Sequence, residues 1–89
     1  MVKFGRRQVF VPSQIRAARA ALSWTAERFA EEAGVTRQTV AKIELSNNFD
    51  GLRRSTLKKL STVLEAHGIE FITAADGSPG IVIRSPTKT

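Results

Sequence analysis

Residues 25–44, TAERFAEEAGVTRQTVAKIE, predict two short helices joined by a tight turn. Thr25 and Thr36 stand where these helices would begin, because a threonine hydroxyl can accept a hydrogen bond from a backbone N–H group of the first turn. Gly34 stands where the first of them would end, since glycine adopts the left-handed C-cap conformation at little cost. Apolar residues at helical spacing would pack the two helices together. They are Phe29, Ala30, Ala33, Val35, Val40 and Ile43.

Two further helices are predicted on either side of this pair. Residues 13–22 form the first, with Ser13 as its N-cap. Residues 55–67 form the last, and Gly68 ends it. A polar loop over residues 45–54 precedes that helix. The chain is therefore expected to contain four helices.

The tail changes from a helical to a strand pattern. Residues 69–74 and 81–84 predict two short strands with turn residues between them. Apolar side chains occur on both strand faces, whereas a half-buried hairpin needs only one apolar face. The second face would be covered by a partner subunit or by the N-terminal arm. The candidate dimerisation residues are Phe71, Ile72, Ile81 and Ile83.

These elements predict a mostly α fold, a compact four-helix domain with a C-terminal β-hairpin and a basic N-terminal arm. The predicted boundaries are 1–12 for the arm, 13–67 for the helical domain and 68–89 for the hairpin and tail. At 89 residues the chain is one small domain. It should bury roughly 60–65% of the surface that its unfolded form exposes, which suits a binding surface better than a deep catalytic pocket.

The net charge of +6 is unevenly distributed. Residues 1–19 contribute +5 and residues 36–59 contribute +4, whereas residues 20–35 contribute −2 and residues 60–89 contribute −1. Either basic segment alone is equally well explained as a solvated surface. Two basic segments around one exposed helix favour a polyanionic partner, because neutralisation of phosphates supplies most non-specific affinity for nucleic acid.

The composition argues against several other classes of protein. The chain has no cysteine and one histidine, so it is expected to hold neither a disulfide framework nor a metal, and no cofactor motif is present. No paired carboxylates or nucleophile with a base stand at catalytic spacing, so an enzyme is not expected. There is no apolar run of about 20 residues, which a membrane span requires. We therefore expect a soluble, cytoplasmic protein.

The solvent side of the third helix carries the residues that are best suited to reading DNA. Val40 and Ile43 would face the core, so Arg37, Gln38 and Lys42 would face solvent. In a helix-turn-helix, the first residues of the second helix reach base edges in the major groove. Arginine pairs with guanine and glutamine with adenine, and Lys42 would reach a base or a phosphate. Thr39 fits a phosphate or the methyl group of thymine.

The segment IRAARAALSWTAERFAEEAGVTRQTVAKIE resembles the helix-turn-helix of the Cro and phage-repressor group, the XRE class of bacterial and phage regulators. The resemblance covers about residues 15–64 and is most specific in FAEEAGVTRQTVAKIE and STLKKLSTVL. It implies a homodimeric transcription factor that binds a palindromic operator without a cofactor. It also implies a cytoplasmic protein of bacterial or phage origin, associated with the nucleoid when bound.

The resemblance further implies roles for individual residues. The DNA-contacting positions of the family correspond to Thr36, Arg37, Gln38, Thr39 and Lys42. Arg19 and Glu44 occupy positions where the family often has a buried or half-buried ion pair, which would orient the third helix and leave Arg19 able to touch a phosphate. The alternative is a solvent-exposed pair that contributes little.

Further contacts with the DNA backbone are expected outside the third helix. The family usually has glutamine after the cap of its second helix, where it contacts the DNA backbone. This chain has Ala26, so that phosphate anchor is missing, and only the backbone amides of the helix start at Thr25 would bind phosphate there. Basic residues before or at the start of the fourth helix would approach the backbone. They are Arg53, Arg54, Lys58 and Lys59. In the N-terminal arm, Arg6 and Arg7 would enter a minor groove, unless the arm makes no fixed contact.

The leading hypothesis is a dimeric, sequence-specific repressor or autoregulator. The alternative is an antitoxin or other interaction module, whose main partner is a toxin or another protein bound through the hairpin. The apolar second face of the hairpin motivates that alternative, and the two roles are compatible.

Overall fold

The computed structural model describes residues 11–84, which form four helices followed by a two-stranded antiparallel sheet. The elements are α1 Pro12–Ala21, α2 Ala26–Ala33, α3 Arg37–Ser46, α4 Arg54–Ala66, β1 Ile69–Thr73 and β2 Pro79–Ile83. The expected mostly α fold, with four helices and a C-terminal hairpin, is confirmed.

The turn between α2 and α3 has the predicted local chemistry. The Thr25 hydroxyl accepts a hydrogen bond from the backbone N–H of Arg28 at 3.0 Å, and the Thr36 hydroxyl accepts one from the N–H of Thr39 at 3.1 Å. Gly34 ends α2 with φ of 75°, in the left-handed region. These contacts define where α2 ends and α3 begins, and α3 is the helix that presents the candidate DNA-reading residues.

α1 begins two residues earlier than Ser13 as its cap would predict, and Ser13 lies within its first turn. Pro12 occupies the first helical position, where its missing N–H has no intrahelical partner to lose. Val11 precedes it, and its backbone N–H donates to Oε1 of Gln14 at 3.0 Å. The Gln14 side chain therefore performs the capping role that the sequence assigned to the Ser13 hydroxyl.

α3 runs to Ser46, two residues beyond its expected end. Asn47 then takes the left-handed conformation with φ of 57°, which asparagine tolerates better than most residues. Leu45 consequently lies on the last turn of the helix and not in the loop. It is 87% exposed, the most exposed large apolar side chain among residues 11–84.

The core lies among the four helices, and the hairpin covers it on one side through contacts with α1 and α4. Six large side chains are essentially inaccessible to solvent: Ile15, Phe29, Val40, Ile43, Leu60 and Leu64. In the hairpin Ile69 faces Ile83 and Phe71 faces Ile81, so these four share one face of the sheet. Ile69 and Phe71 pack in the core at 2% and 6% exposure. The hairpin is thus packed against the helices as part of the domain core.

The burial of Phe71 corrects the expectation that it contacts a second subunit. Its side chain is used within its own chain and is not available for an intersubunit surface. Ile81 packs partly against the same core, and Ile72 is half-buried on the other face of the sheet. Ile83 alone among the four candidate dimerisation residues is well exposed, at 60%.

A buried amide joins α1 to the hairpin. Gln14 is 3% exposed, and its Nε2 donates to the carbonyl oxygens of Gly80 at 2.8 Å and Ile72 at 3.3 Å. A buried amide without these partners would be costly, so the pairing fixes where β1 and β2 sit relative to α1. Nothing in the local sequence pattern distinguished Gln14 from a surface glutamine.

Candidate nucleic-acid interface

The exposed face of α3 presents three polar side chains with no internal partner. Arg37, Gln38 and Lys42 are exposed, and none of their side chains forms a hydrogen bond or ion pair with another residue in 11–84. Val40 and Ile43, on the opposite side of the helix, are buried at 0% and 1% exposure. The helix therefore keeps its apolar side in the core and its hydrogen-bonding side in solvent, as predicted.

The two threonines at the start of α3 bond to each other. Thr36 Oγ1 lies 2.9 Å from Thr39 Oγ1 and also accepts the N–H of Thr39. Thr36 is exposed and Thr39 half-buried. One of the two O–H groups donates in this contact, so the other remains able to donate to a phosphate oxygen, while the first turn of α3 is already capped without one.

α3 is tied to α1 by a bidentate ion pair. Nε and Nη2 of Arg19 each donate to one carboxylate oxygen of Glu44 at 2.8 Å, and Nη1 donates to the carbonyl of Trp24 at 2.8 Å. The side chains are 21% and 14% exposed. The hydrogen bond to Glu44 raises the pKa of Arg19 above its ordinary value, although desolvation acts in the opposite direction. The guanidinium is thus charged and held in one orientation.

A second arginine of α1 reaches the same turn of α3. Nη2 of Arg16 donates to the backbone carbonyl of Glu44 at 2.8 Å. Two arginines one turn apart on α1 therefore hold residue 44, one through its side chain and one through its backbone. The family resemblance implies a role for Arg19 but does not distinguish Arg16, whose only local signal is its spacing of three from Arg19.

The basic residues near α4 fall into two separate places. Arg53 lines an open cleft with Thr39, Lys42 and Thr56, next to the exposed face of α3. Arg54 and Lys58 line a different groove along α4 with Leu57, Ser61 and Glu65. All three basic residues are exposed. Arg53 therefore lies next to the candidate reading face, which is the exposed side of α3 that carries Arg37, Gln38 and Lys42. Arg54 and Lys58 lie in a separate groove along α4.

Thr25 lies at the start of α2 with an exposed side chain, and its hydroxyl is already used as the cap. Arg6 and Arg7 lie outside the described residues. Among residues 11–84, no three histidine, aspartate or glutamate side chains are grouped so that they could hold a metal ion. None of the helices in that range has the length and apolar character to cross a membrane.

Comparison with known families agrees with this geometry. A helix-turn-helix family model of the Cro/C1 type matches residues 15–71. The chain belongs to this family, which is typical of XRE regulators. It is therefore a DNA-binding helix-turn-helix domain of the regulatory type. No curated protein matches the sequence.

Proposed function

We propose that the protein is a dimeric transcriptional regulator, a repressor or autoregulator, that reads a palindromic DNA operator with the exposed face of α3 in the major groove. The observation that carries this proposal is the set of side chains Arg37, Gln38 and Lys42, exposed together on a helix with no partner within the described chain. Arginine and glutamine offer the bidentate hydrogen bonds that distinguish guanine and adenine in that groove.

Preorganisation of α3 supports a base-reading role. The Arg19–Glu44 pair and the contact from Arg16 join α3 to α1, so the helix would enter the groove in a defined orientation. Because the three guanidinium nitrogens of Arg19 already donate within the chain, we assign it first to positioning α3 and only second to a phosphate. Little conformational freedom of the backbone would be lost on binding.

The charge around α3 supplies the sequence-independent part of the affinity. Arg53, beside Lys42 in one cleft, is the basic residue of the α4 region best placed to contact a phosphate next to the reading face. Arg54 and Lys58 extend the positive surface along α4, and the uncapped start of that helix adds free amide groups. Thr25 and Thr36 mark two further helix starts that would face phosphates.

Selection of bound fragments from random double-stranded DNA tests the proposal directly. We expect an inverted repeat whose half-sites are centred about 34 Å, or one turn of DNA, apart, as two-fold symmetry of a helix-turn-helix dimer requires. Recovery of unrelated fragments with no common sequence would overturn sequence-specific binding. Recovery of a single half-site would retain base reading but contradict the dimer.

The proposed dimer contact is at the hairpin end that carries Ile83. Changing Ile83 to aspartate is expected to weaken self-association at least about tenfold, because an exposed apolar side chain that becomes buried between subunits contributes roughly 1.5–3 kcal/mol. Sedimentation of the protein without DNA over a range of concentrations measures the change.

Leu45→Asp is the matched control, since Leu45 is the other large apolar side chain that is strongly exposed within residues 11–84. It should leave self-association unchanged. If Leu45→Asp dissociates the dimer and Ile83→Asp does not, the contact lies at α3. A parent protein that is monomeric at all concentrations would favour the alternative in which the hairpin holds a different protein, such as a toxin.

A further inference from the structure

Leu45 is a large apolar residue on the face of α3 that otherwise carries polar, DNA-reading groups. It is 87% exposed and lies seven residues after Gln38 and three after Lys42, which places all three on one side of the helix. No other large apolar side chain of the four described helices is comparably exposed. Neither its helical position nor its exposure follows from the sequence, which placed it in a loop.

The surroundings of Leu45 form a shallow apolar depression. It is lined by Gln38, Ala41, Lys42, Leu45 and Ser46. Oγ of Ser46 donates to the carbonyl of Lys42 at 2.7 Å, so this hydroxyl proton is used within the helix. Ala41 adds a methyl group to the floor. The depression therefore offers mainly hydrocarbon contact. It lies between Gln38, which can read adenine, and the cation of Lys42.

We propose that Leu45, with Ala41, recognises the methyl group of a thymine and thereby sets base preference at one further position of each half-site. This inference rests on the proposed function, because it requires α3 to lie in the major groove. In that groove the C5 methyl group of thymine is the apolar feature of the base-pair edges, and it distinguishes T·A from C·G by contact alone. Lys42 lines this depression and also shares a second cleft with Arg53, and the two cations would attract phosphates at the edge of the groove.

Helix geometry predicts which base pair is involved. Seven residues at about 1.5 Å each separate Gln38 from Leu45 by roughly 10 Å along the helix axis. Base pairs are spaced by about 3.4 Å. Because the groove is inclined to the DNA axis, the thymine therefore lies within about three base pairs of the pair read by Gln38.

Replacement of thymine by uracil tests this proposal, because it removes the methyl group and leaves every hydrogen-bonding group in place. Each thymine of the selected operator is changed in turn to deoxyuridine, and affinities are measured for the parent protein and for Leu45→Ala. We expect the parent to lose about fourfold in affinity at one thymine per half-site, the contribution of one buried methyl group. Leu45→Ala should show a clearly smaller loss at that thymine, because only the Ala41 methyl group remains in contact with it.

Gln38→Ala provides the matched control on the same face. It should bind more weakly overall but keep the Leu45-dependent loss on removal of the methyl group. Equal sensitivity of the parent and Leu45→Ala to uracil at every thymine would overturn the proposal, as would an operator with no thymine near the predicted position. If no operator is selected at all, the proposed DNA reading itself fails, and that outcome is distinct from a bound operator that is insensitive to Leu45.

Discussion

The double variant Gln38→Ala with Lys42→Ala is expected to bind the selected operator roughly 100-fold more weakly than the parent, with the fold intact. Each base contact of this kind contributes about 1–3 kcal/mol of discrimination, and a loss of about 1.4 kcal/mol at each of the two side chains corresponds to about two decades in Kd. Both side chains are exposed and have no partner among the described residues, and alanine is the best helix former. Titration of labelled operator, together with thermal unfolding, measures both properties.

Non-specific binding provides the internal comparison for this double variant. On unrelated DNA it should lose far less affinity, because most phosphate contacts remain. Arg53→Ala should instead weaken binding on all sequences and lower the slope of log affinity against log salt by about one for each phosphate contact removed.

Lys59→Ala makes the same change of charge at a control site. Lys59 lines a different depression, with Glu32, Ala33 and Ala66. Lys59→Ala is therefore expected to change the slope of log affinity against log salt less than Arg53→Ala does. If the Gln38 and Lys42 double variant binds the operator as tightly as the parent does, these side chains do not read bases. The same conclusion follows if it loses the same affinity for the operator and for unrelated DNA.

Removal of the Glu44 carboxylate is expected to lower the free energy of unfolding by about 2–3 kcal/mol. Glu44→Ala leaves the Arg19 guanidinium without its bidentate partner in a site where the two side chains are only 21% and 14% exposed. Breaking a fully buried pair in this way costs about 3–5 kcal/mol, and the residual exposure here reduces that figure. Chemical denaturation measures the change, and operator affinity should fall as well because α3 loses its tie to α1.

The Arg28–Glu32 pair serves as the comparison for this effect. It joins consecutive turns of α2 at 2.9 Å, but its side chains are 52% and 33% exposed. Glu32→Ala should therefore cost only about 0.3–0.5 kcal/mol and leave operator affinity unchanged. A loss for Glu44→Ala no greater than that for Glu32→Ala would show that the half-buried pair does not stabilise α3.

Much of the candidate site was predictable because it depends on local rules. The caps Thr25 and Thr36, the turn at Gly34 and the inward positions Val40 and Ile43 follow from hydrogen bonding and helical periodicity within a few residues. The exposure of Arg37, Gln38 and Lys42 then follows from the same periodicity. The match to the Cro/C1-type helix-turn-helix family covers these segments.

The interpretation of other residues changed because their surroundings are formed by distant parts of the chain. No local pattern marks Gln14, which is buried through contacts with residues 58 and 66 positions away. Phe71 looked available to a partner, but packing of the hairpin on the helices places it in the core.

Periodicity and capping chemistry were thus sufficient to locate the helices, the turn and the polar face of α3, since each is specified by neighbours along the chain. Tertiary packing determined how α1 is joined to α3 and to the hairpin. It also determined that Phe71 is buried and that Ile83 is exposed. The position of Leu45 on the reading face depended on where α3 ends, at Asn47 in its left-handed conformation. A local pattern determines which side of a helix is apolar, but the burial of a given side chain depends on what the rest of the chain brings against it.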